Sequence, residues 1–186
     1  MEIGYEVTLA DCLALNSHLM KTSPLMLKTI RKGQLWWASG PLVGGTFLSI
    51  FKGIPLDAAL IILLILGVAI SLPMFFLYPL YFKNCNKKYI LKVYKSGNNK
   101  GVLGVHEMIV SDECLIEKTE FNDSKIQWNS INKIDSTTDH TFIFTGDLTA
   151  YTIPHKNIIS GDYAQFVEKL KETFNRNGSF QPGRCT

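Results

Sequence analysis

Two long uncharged stretches set the pattern of the chain. Gly33 to Phe51 runs for 19 residues and Ala58 to Phe82 for 25 without a charged side chain, and only Lys52 to Asp57 separates them. At about 1.5 Å per helical residue, each stretch is long enough for a hydrocarbon core about 30 Å thick. The pattern predicts a transmembrane hairpin over 33–82, with spans at 33–51 and 56–82.

The flanking segments have shorter periods. Glu2 to Val7 alternates as a short strand does. Thr8 then stands as an N-cap with Asp11 three residues on, in the capping-box position usually held by Glu or Gln. Leu9, Leu13 and Leu19 carry a rough helical stripe of around ten residues, which Pro24 interrupts. Residues 1–32 form this N-terminal strand and helix. Beyond the hairpin, residues 83–106 read as a basic linker, 107–176 as one small domain and 177–186 as a tail. The domain reads as short strands at Met108–Val110, Cys114–Thr119, Lys125–Trp128, Thr141–Thr145 and Leu148–Ile153, separated by polar turns. Gly146-Asp147 fits a two-residue type II′ hairpin link, and Pro154, without a donor, ends the ladder. Ser160 is the expected cap of a final helix, with Asp162 in its first turn. Its stripe is Tyr163, Phe166, Val167, Leu170 and Phe174. Trp128 is expected in the core, against that helix.

The net charge of +3 conceals a segregation. Lys83 to His106 holds six lysines and no acid; from Glu107 onward twelve acids meet eight Lys or Arg, a net of −4. An acidic domain argues against nucleic-acid binding, which needs a basic face. The collar of Lys83, Lys87, Lys88, Lys92 and Lys95 is both a topology signal and a candidate contact for anionic headgroups. Lys21, Lys28, Arg31 and Lys32 precede the first span, whereas the connecting loop offers only Lys52 against Asp57. Both termini are therefore expected in the cytoplasm. Trp36 and Trp37 at one end and Tyr78, Tyr81 and Phe82 at the other place an aromatic belt at that interface. No signal peptide is legible, so insertion is expected to rely on the hairpin. Gly40 and Gly44 give the first span a GxxxG spacing, suited to packing on the second span near Ala58, Ala59 or Gly67, or to self-association of two chains. Pro73 and Pro79 predict a bend in the second helix.

The ground plan of antiparallel strands closed by one amphipathic helix is that of pleckstrin-homology-like (PH-like) half-barrels. More particular residues are the run Leu103-Gly104-Val105-His106, the turn Ser111-Asp112-Glu113, and Gln127-Trp128-Asn129-Ser130-Ile131-Asn132-Lys133-Ile134. Ala150-Tyr151-Thr152-Ile153-Pro154-His155-Lys156, followed by a helix, continues the pattern. In these residues and in its layout the chain resembles the bacterial YcxB-like family. The resemblance implies an α+β membrane protein of the bacterial cytoplasmic membrane, with a two-helix hairpin and a cytoplasmic PH-like domain. It implies no activity. Where two basic residues are expected after Pro154, the chain has His155-Lys156.

Candidate chemistry is sparse. The spans carry no Asp, Glu, Lys, Arg or His, which argues against transport. Cys12, Cys85, Cys114 and Cys185 form no CxxC pair and read as reduced, incidental thiols. His140, beside Asp139 and near Asp135, reads as an exposed turn; His106-Glu107 reads as a hydrogen-bonded junction between collar and domain. Gly97 to Gly101 is a turn without P-loop spacing. No catalytic, cofactor or metal site is expected. The sequence therefore predicts a non-enzymatic, membrane-anchored module that binds a protein or a lipid headgroup. The alternative is an immunity-type or membrane-component-binding protein in which the hairpin is the working part.

Overall fold

The computed structural model describes residues 1–51, 56–95 and 101–177. The expected hairpin loop at 52–55, most of the Gly97 to Gly101 turn and the tail with Cys185 lie outside the described residues, as do the surroundings of Gly45, Ala58 and Ala59. The chain forms two compact units, one of Met1–Leu19 with Ile90–Thr186 and one of Met20–Tyr89.

The first unit is mixed α+β with antiparallel sheets. Strand β1 (Glu2–Val7) leads into α1 (Leu9–Thr22); after the second unit come β2 (Gly104–Val110), β3 (Cys114–Thr119), β4 (Asp123–Gln127), β5 (Lys133–Ser136), β6 (His140–Phe144), β7 (Ala150–Pro154), β8 (Ile158–Ser160) and α4 (Tyr163–Asn177). One sheet has the order β4-β3-β2-β1-β8 and the other β5-β6-β7. The N-terminal strand is thus an interior strand, not part of a separate segment. It pairs with β2 from Glu2↔Ile109 to Val7↔Gly104, and with β8 at Gly4↔Ser160 and Tyr5↔Ile158. Its alternation turns Ile3, Tyr5 and Val7 into the core, with Met108, Leu115, Ile126, Trp128, Ile143, Ile153, Phe166 and Leu170.

Strand β6 is covered on both faces, which explains its nearly continuous apolar run. Thr141 and Ile143 are fully buried, and Ile143 belongs to the main core. Phe142 and Phe144 pack with Leu15 and Leu19 of α1 in a second cluster. Three details depart from the sequence reading. Trp128 sits in a 3-10 turn, Trp128–Ser130, rather than at a strand end, yet it is buried in the cluster that holds Phe166 and Leu170. The link from β6 to β7 pairs Phe144 with Ala150 and closes by Thr145 N–H to Thr149 O at 3.1 Å; Gly146 lacks the positive φ that a type II′ turn requires. Ser160 belongs to β8. The α4 cap is Asp162, whose Oδ1 accepts from the amides of Ala164 (2.9 Å) and Gln165 (3.1 Å).

The second unit holds α2 (Pro24–Phe51) and most of α3 (Leu56–Lys95). Ser23 O accepts from Leu27 N–H at 3.0 Å, and Pro24 occupies the first helical position, where its missing donor costs nothing. The two helices run antiparallel: Gln34 reaches Phe75, Ala38 reaches Ser71, and Trp37 lies 5.8 Å from Tyr78 and 5.1 Å from Tyr81 between ring centroids. Tyr78 crosses directly over Gly33, where any side chain would overlap its ring. At Gly40 and Gly44 there is no such approach. A Cβ at either meets nothing within 4 Å among the described residues, and the close approach that the described residues do show is at Gly33.

By length and composition, one described stretch, Ile65–Tyr94, can cross a membrane; its mean hydropathy is 1.9 and only 6% of that window is buried. The expected pair of spans is thus one candidate span beside a second long helix. The first half of α2 carries Lys28, Arg31 and Lys32, and its uncharged part, Gly33–Phe51, includes Gln34, Ser39, Thr46 and Ser49.

Gly161 supplies the sharpest local test. Its φ is +86°, and a Cβ would lie 2.6 Å from the Glu2 carbonyl oxygen of β1, a backbone atom that cannot step aside. Gly161→Ala should destabilise the chain by about 1–3 kcal/mol through left-handed strain and that overlap. Thermal unfolding of the full chain in detergent measures it, and an unchanged midpoint would refute the fit of the β8–α4 turn against β1.

Candidate functional site

The interior of the first unit is unusually polar, and its four histidines organise it. His106, on the inward face of β2, places Nδ1 at 3.0 Å from Glu117 Oε1 of β3. The two side chains are only 6% and 12% exposed. The expected neighbour Glu107 lies on the opposite face of the strand and pairs with Lys118 at 3.7 Å. The His106 ring stacks on Tyr5 of β1, centroid to centroid 5.6 Å. Burial, then the nearby Glu117, raises the Tyr5 phenol well above its ordinary value. A cavity of about 180 Å³ opens beside this group, bounded by Cys12, Tyr94, His106, Glu117 and Tyr151 among others.

A second group joins α1 to the β5-β6-β7 sheet. His140 is not an exposed turn residue: it opens β6 and donates from Nε2 to Asp11 Oδ1 at 2.8 Å. Asp11 Oδ2 accepts from the Thr8 hydroxyl (2.6 Å) and the Thr8 amide (2.8 Å). The capping-box aspartate therefore serves the helix start and the sheet together. Asp135, the other acid near His140 in sequence, instead meets His18 of α1 at 3.2 Å and Lys133 at 2.6 Å. Phe142 lies between the two pairs, 4.9 Å from His18 and 5.6 Å from His140.

The remaining pair after Pro154 divides its duties. His155 donates from Nδ1 to the Thr138 carbonyl at 3.0 Å, so its Nε2 accepts the Tyr163 hydroxyl at 2.5 Å. Thr141 completes the group at 2.7 Å from that hydroxyl. Desolvation holds the imidazole below its ordinary pKa, against the help of that carbonyl, which favours the neutral, accepting form. Lys156 points outward to Asp139 at 2.8 Å and is 80% exposed. These are bonds that fasten α4 to the sheet. They contain no nucleophile paired with a base in an open cleft.

The candidate headgroup contacts Lys83, Lys87, Lys88, Lys92 and Lys95 all lie on α3 itself, not in an irregular linker, and the first four are exposed. Cys12, Cys85 and Cys114 are free thiols. Burial pushes the Cys12 thiol up, which lowers its reactivity. Among the described residues no cluster of three or more His, Cys, Asp or Glu could hold a metal ion.

Residues 110–170 match the model of the YcxB-like protein family. No curated protein and no solved structure matches the chain. The matched segment runs from the last residue of β2 into α4 and contains Glu117, Trp128, His140, His155 and Tyr163. It excludes β1, α1 and the residues Tyr5, Asp11 and His106. The YcxB-like segment thus supplies one side of the His18–Asp135, His106–Glu117 and His140–Asp11 pairs, with residues of α1 or β2 outside it supplying the other, while the His155–Tyr163–Thr141 group lies wholly within it.

The α1 clasp makes an acid-sensitive prediction. Burial alone would raise Asp11, but the Thr8 bonds and His140 outweigh it and hold the carboxyl below the ordinary value of 3.8; Lys133 and His18 do the same for Asp135, again against burial. A carboxyl depressed in the folded state adds stability that is present above its unfolded pKa and lost as pH falls through its folded pKa. The chain should therefore lose stability below about pH 4. Asp11→Asn should be less stable at pH 7 by about 0.5–2 kcal/mol and lose less on acidification. Parallel pH–melting curves for the two proteins would refute the clasp.

Proposed function

We propose that the protein is a non-enzymatic binding module held on the cytoplasmic face of a bacterial inner membrane by an α2–α3 transmembrane hairpin, with both termini in the cytoplasm. The observation that carries this reading is the surface of α3. Ile65, Leu66, Leu72, Phe76, Leu77 and Leu80 are each more than half exposed, and the same helix continues into lysines without an acid between Lys83 and Lys95. Such a surface is intolerable in water and ordinary in lipid. The cluster of Trp37, Tyr78, Tyr81 and Phe82 fits an interfacial belt just before the first lysine.

Two antiparallel sheets closed by α4 fit a PH-like half-barrel. Its candidate ligands are a protein or a lipid headgroup; nucleic acid is disfavoured by the acidic balance from Glu107 onward. The GxxxG spacing of Gly40 and Gly44, where an added Cβ meets nothing within 4 Å among the described residues, suits close approach of another helix, from the same chain or from a second copy.

Lipid contact should be uneven along the collar. At about 1.5 Å per residue, Lys87 and Lys88 lie within about one Debye length, ~8 Å, of Lys83 along the helix, while Lys92 and Lys95 lie beyond it. Each lysine near an anionic leaflet contributes about 1 kcal/mol. The full chain reconstituted in mixed phosphatidylcholine–phosphatidylglycerol bilayers should therefore enrich spin-labelled phosphatidylglycerol around itself. Lys83→Gln, Lys87→Gln and Lys88→Gln together should remove most of that preference, and Lys92→Gln with Lys95→Gln much less. Equal enrichment by all forms would leave the collar as a topology signal only.

Orientation has its own test. In sealed cells an impermeant maleimide should label Gly53→Cys placed in a chain stripped of its other cysteines, and should spare native Cys85 at the far end of α3. Labelling of Cys85 alone would invert the topology.

A further inference from the structure

The cavity beside His106 and Glu117 has features that neither sheet stability nor membrane anchoring requires. Glu117 stands on the inward face of β3, opposite Met108, where an apolar residue would serve the core. Its one hydrogen-bond partner among the described residues is His106, through Oε1. A carboxylate carries about four lone-pair sites, so Oε2 remains for an occupant. His106 donates from Nδ1 to Glu117, and Glu117 is the only acid among the described residues that line the cavity. Among the described residues no lysine or arginine lines the cavity, and Tyr94 and Tyr151 form part of its wall.

Charge, walls and volume select one class of ligand. An anion would face Glu117 with no cation among the described lining residues to compensate. A purely apolar guest would leave Glu117 Oε2 without a partner, which is costly. A small organic cation satisfies both terms: its ammonium pairs with Glu117 and lies against tyrosine faces. A cavity of about 180 Å³ exceeds the ~150 Å³ that admits benzene. We propose that this cavity is a binding site for a small ammonium compound of the ethanolamine or choline type, with Glu117 as counter-charge and Tyr94 and Tyr151 as walls. The proposal rests on reading the sheet unit as a binding module and names its ligand class. The same chemistry exists as a free solute and as a phospholipid headgroup.

The test uses the full chain in bilayers of phosphatidylglycerol alone, with choline followed by saturation-transfer NMR. Wild type should bind choline and should not bind 3,3-dimethyl-1-butanol, its uncharged carbon isostere. Glu117→Gln should weaken choline binding about tenfold or more, and Tyr151→Leu a few-fold, each with its melting temperature recorded. Absence of choline binding, or equal binding of choline and the isostere by wild type, overturns the proposal whether or not the variants fold. If adding phosphatidylethanolamine to the bilayer suppresses choline binding, the source is the headgroup; if not, it is a free solute. Loss of this proposal with lysine-dependent phosphatidylglycerol enrichment intact would leave the membrane-anchored reading standing.

Discussion

Pairing of β1 with β2 and β8 is the constraint on which the first unit depends. The chain begins a sheet, leaves it at Val7 and returns at Gly104 to pair with the strand it left. Closing so long an excursion costs about 4 kcal/mol in chain entropy by the logarithmic loop rule. Burial of Ile3 and Val7, at about 1.5–3 kcal/mol each, offsets that cost, and hydrogen bonds on both edges add to it. Without β1 the β2 and β8 edges would be unpaired and Gly161 would have no strand to fit against. A fragment beginning at Lys83 or Lys87 would lack this strand. The domain is therefore discontinuous in sequence, and the YcxB-like match at 110–170 covers a part that cannot close its own sheet.

Around that strand the polar interior has a common design. Each of His18, His106 and His140 faces a carboxylate on another element, Asp135, Glu117 and Asp11 respectively. Two of the three pairs tie α1 to the three-stranded sheet, and they run in opposite senses: the helix supplies the imidazole in one and the acid in the other. Such partly buried pairs fix registry more than they stabilise, because desolvation consumes much of the Coulomb gain. Phe142 between the rings adds the apolar contact that keeps water away from them. The third pair, His106–Glu117, joins neighbouring strands already held by backbone bonds. Its cost in desolvation therefore has no evident structural return, and this is what singles out the cavity it lines.

Periodicity made much of this architecture legible. Cys114 to Thr119 and the Tyr163–Phe166–Val167–Leu170 stripe read directly as β3 and α4, since each buries one face at the period of its own backbone. Local signals misled where tertiary contacts choose among several acceptable ends. Ser160 is an acceptable cap, but β1 draws it into β8 and leaves the task to Asp162. Gly146-Asp147 suits a two-residue turn, yet the Phe144↔Ala150 register demands a longer link. The candidate site was the least legible part, because its partners are remote: Asp11 and His140 stand 129 positions apart. One local clue was present, since an acid at the capping-box position marks Asp11 as an anchored carboxylate, though not what else it would anchor.

The helix pair of the second unit carries one further consequence of its prolines. Pro79 has no N–H to offer the Phe75 carbonyl, four residues back. In water such an orphan is harmless; in hydrocarbon it costs several kcal/mol. The Gln34 side-chain amide donates to that carbonyl at 3.1 Å, and Ser71 donates to the Ala38 carbonyl at 2.6 Å in the reverse direction. Polar residues inside the uncharged stretches are thus matched to backbone acceptors on the partner helix. Tyr78 over Gly33 brings the backbones near enough for Gln34 to reach. Separating α2 from α3 would expose the orphan carbonyl and the Gln34 amide together. If α3 lies in lipid, the part of α2 around Gln34 must accompany it to that depth. This dependence supports the hairpin reading through the hydrogen-bond demand of one proline, where the hydropathy of α2 alone does not.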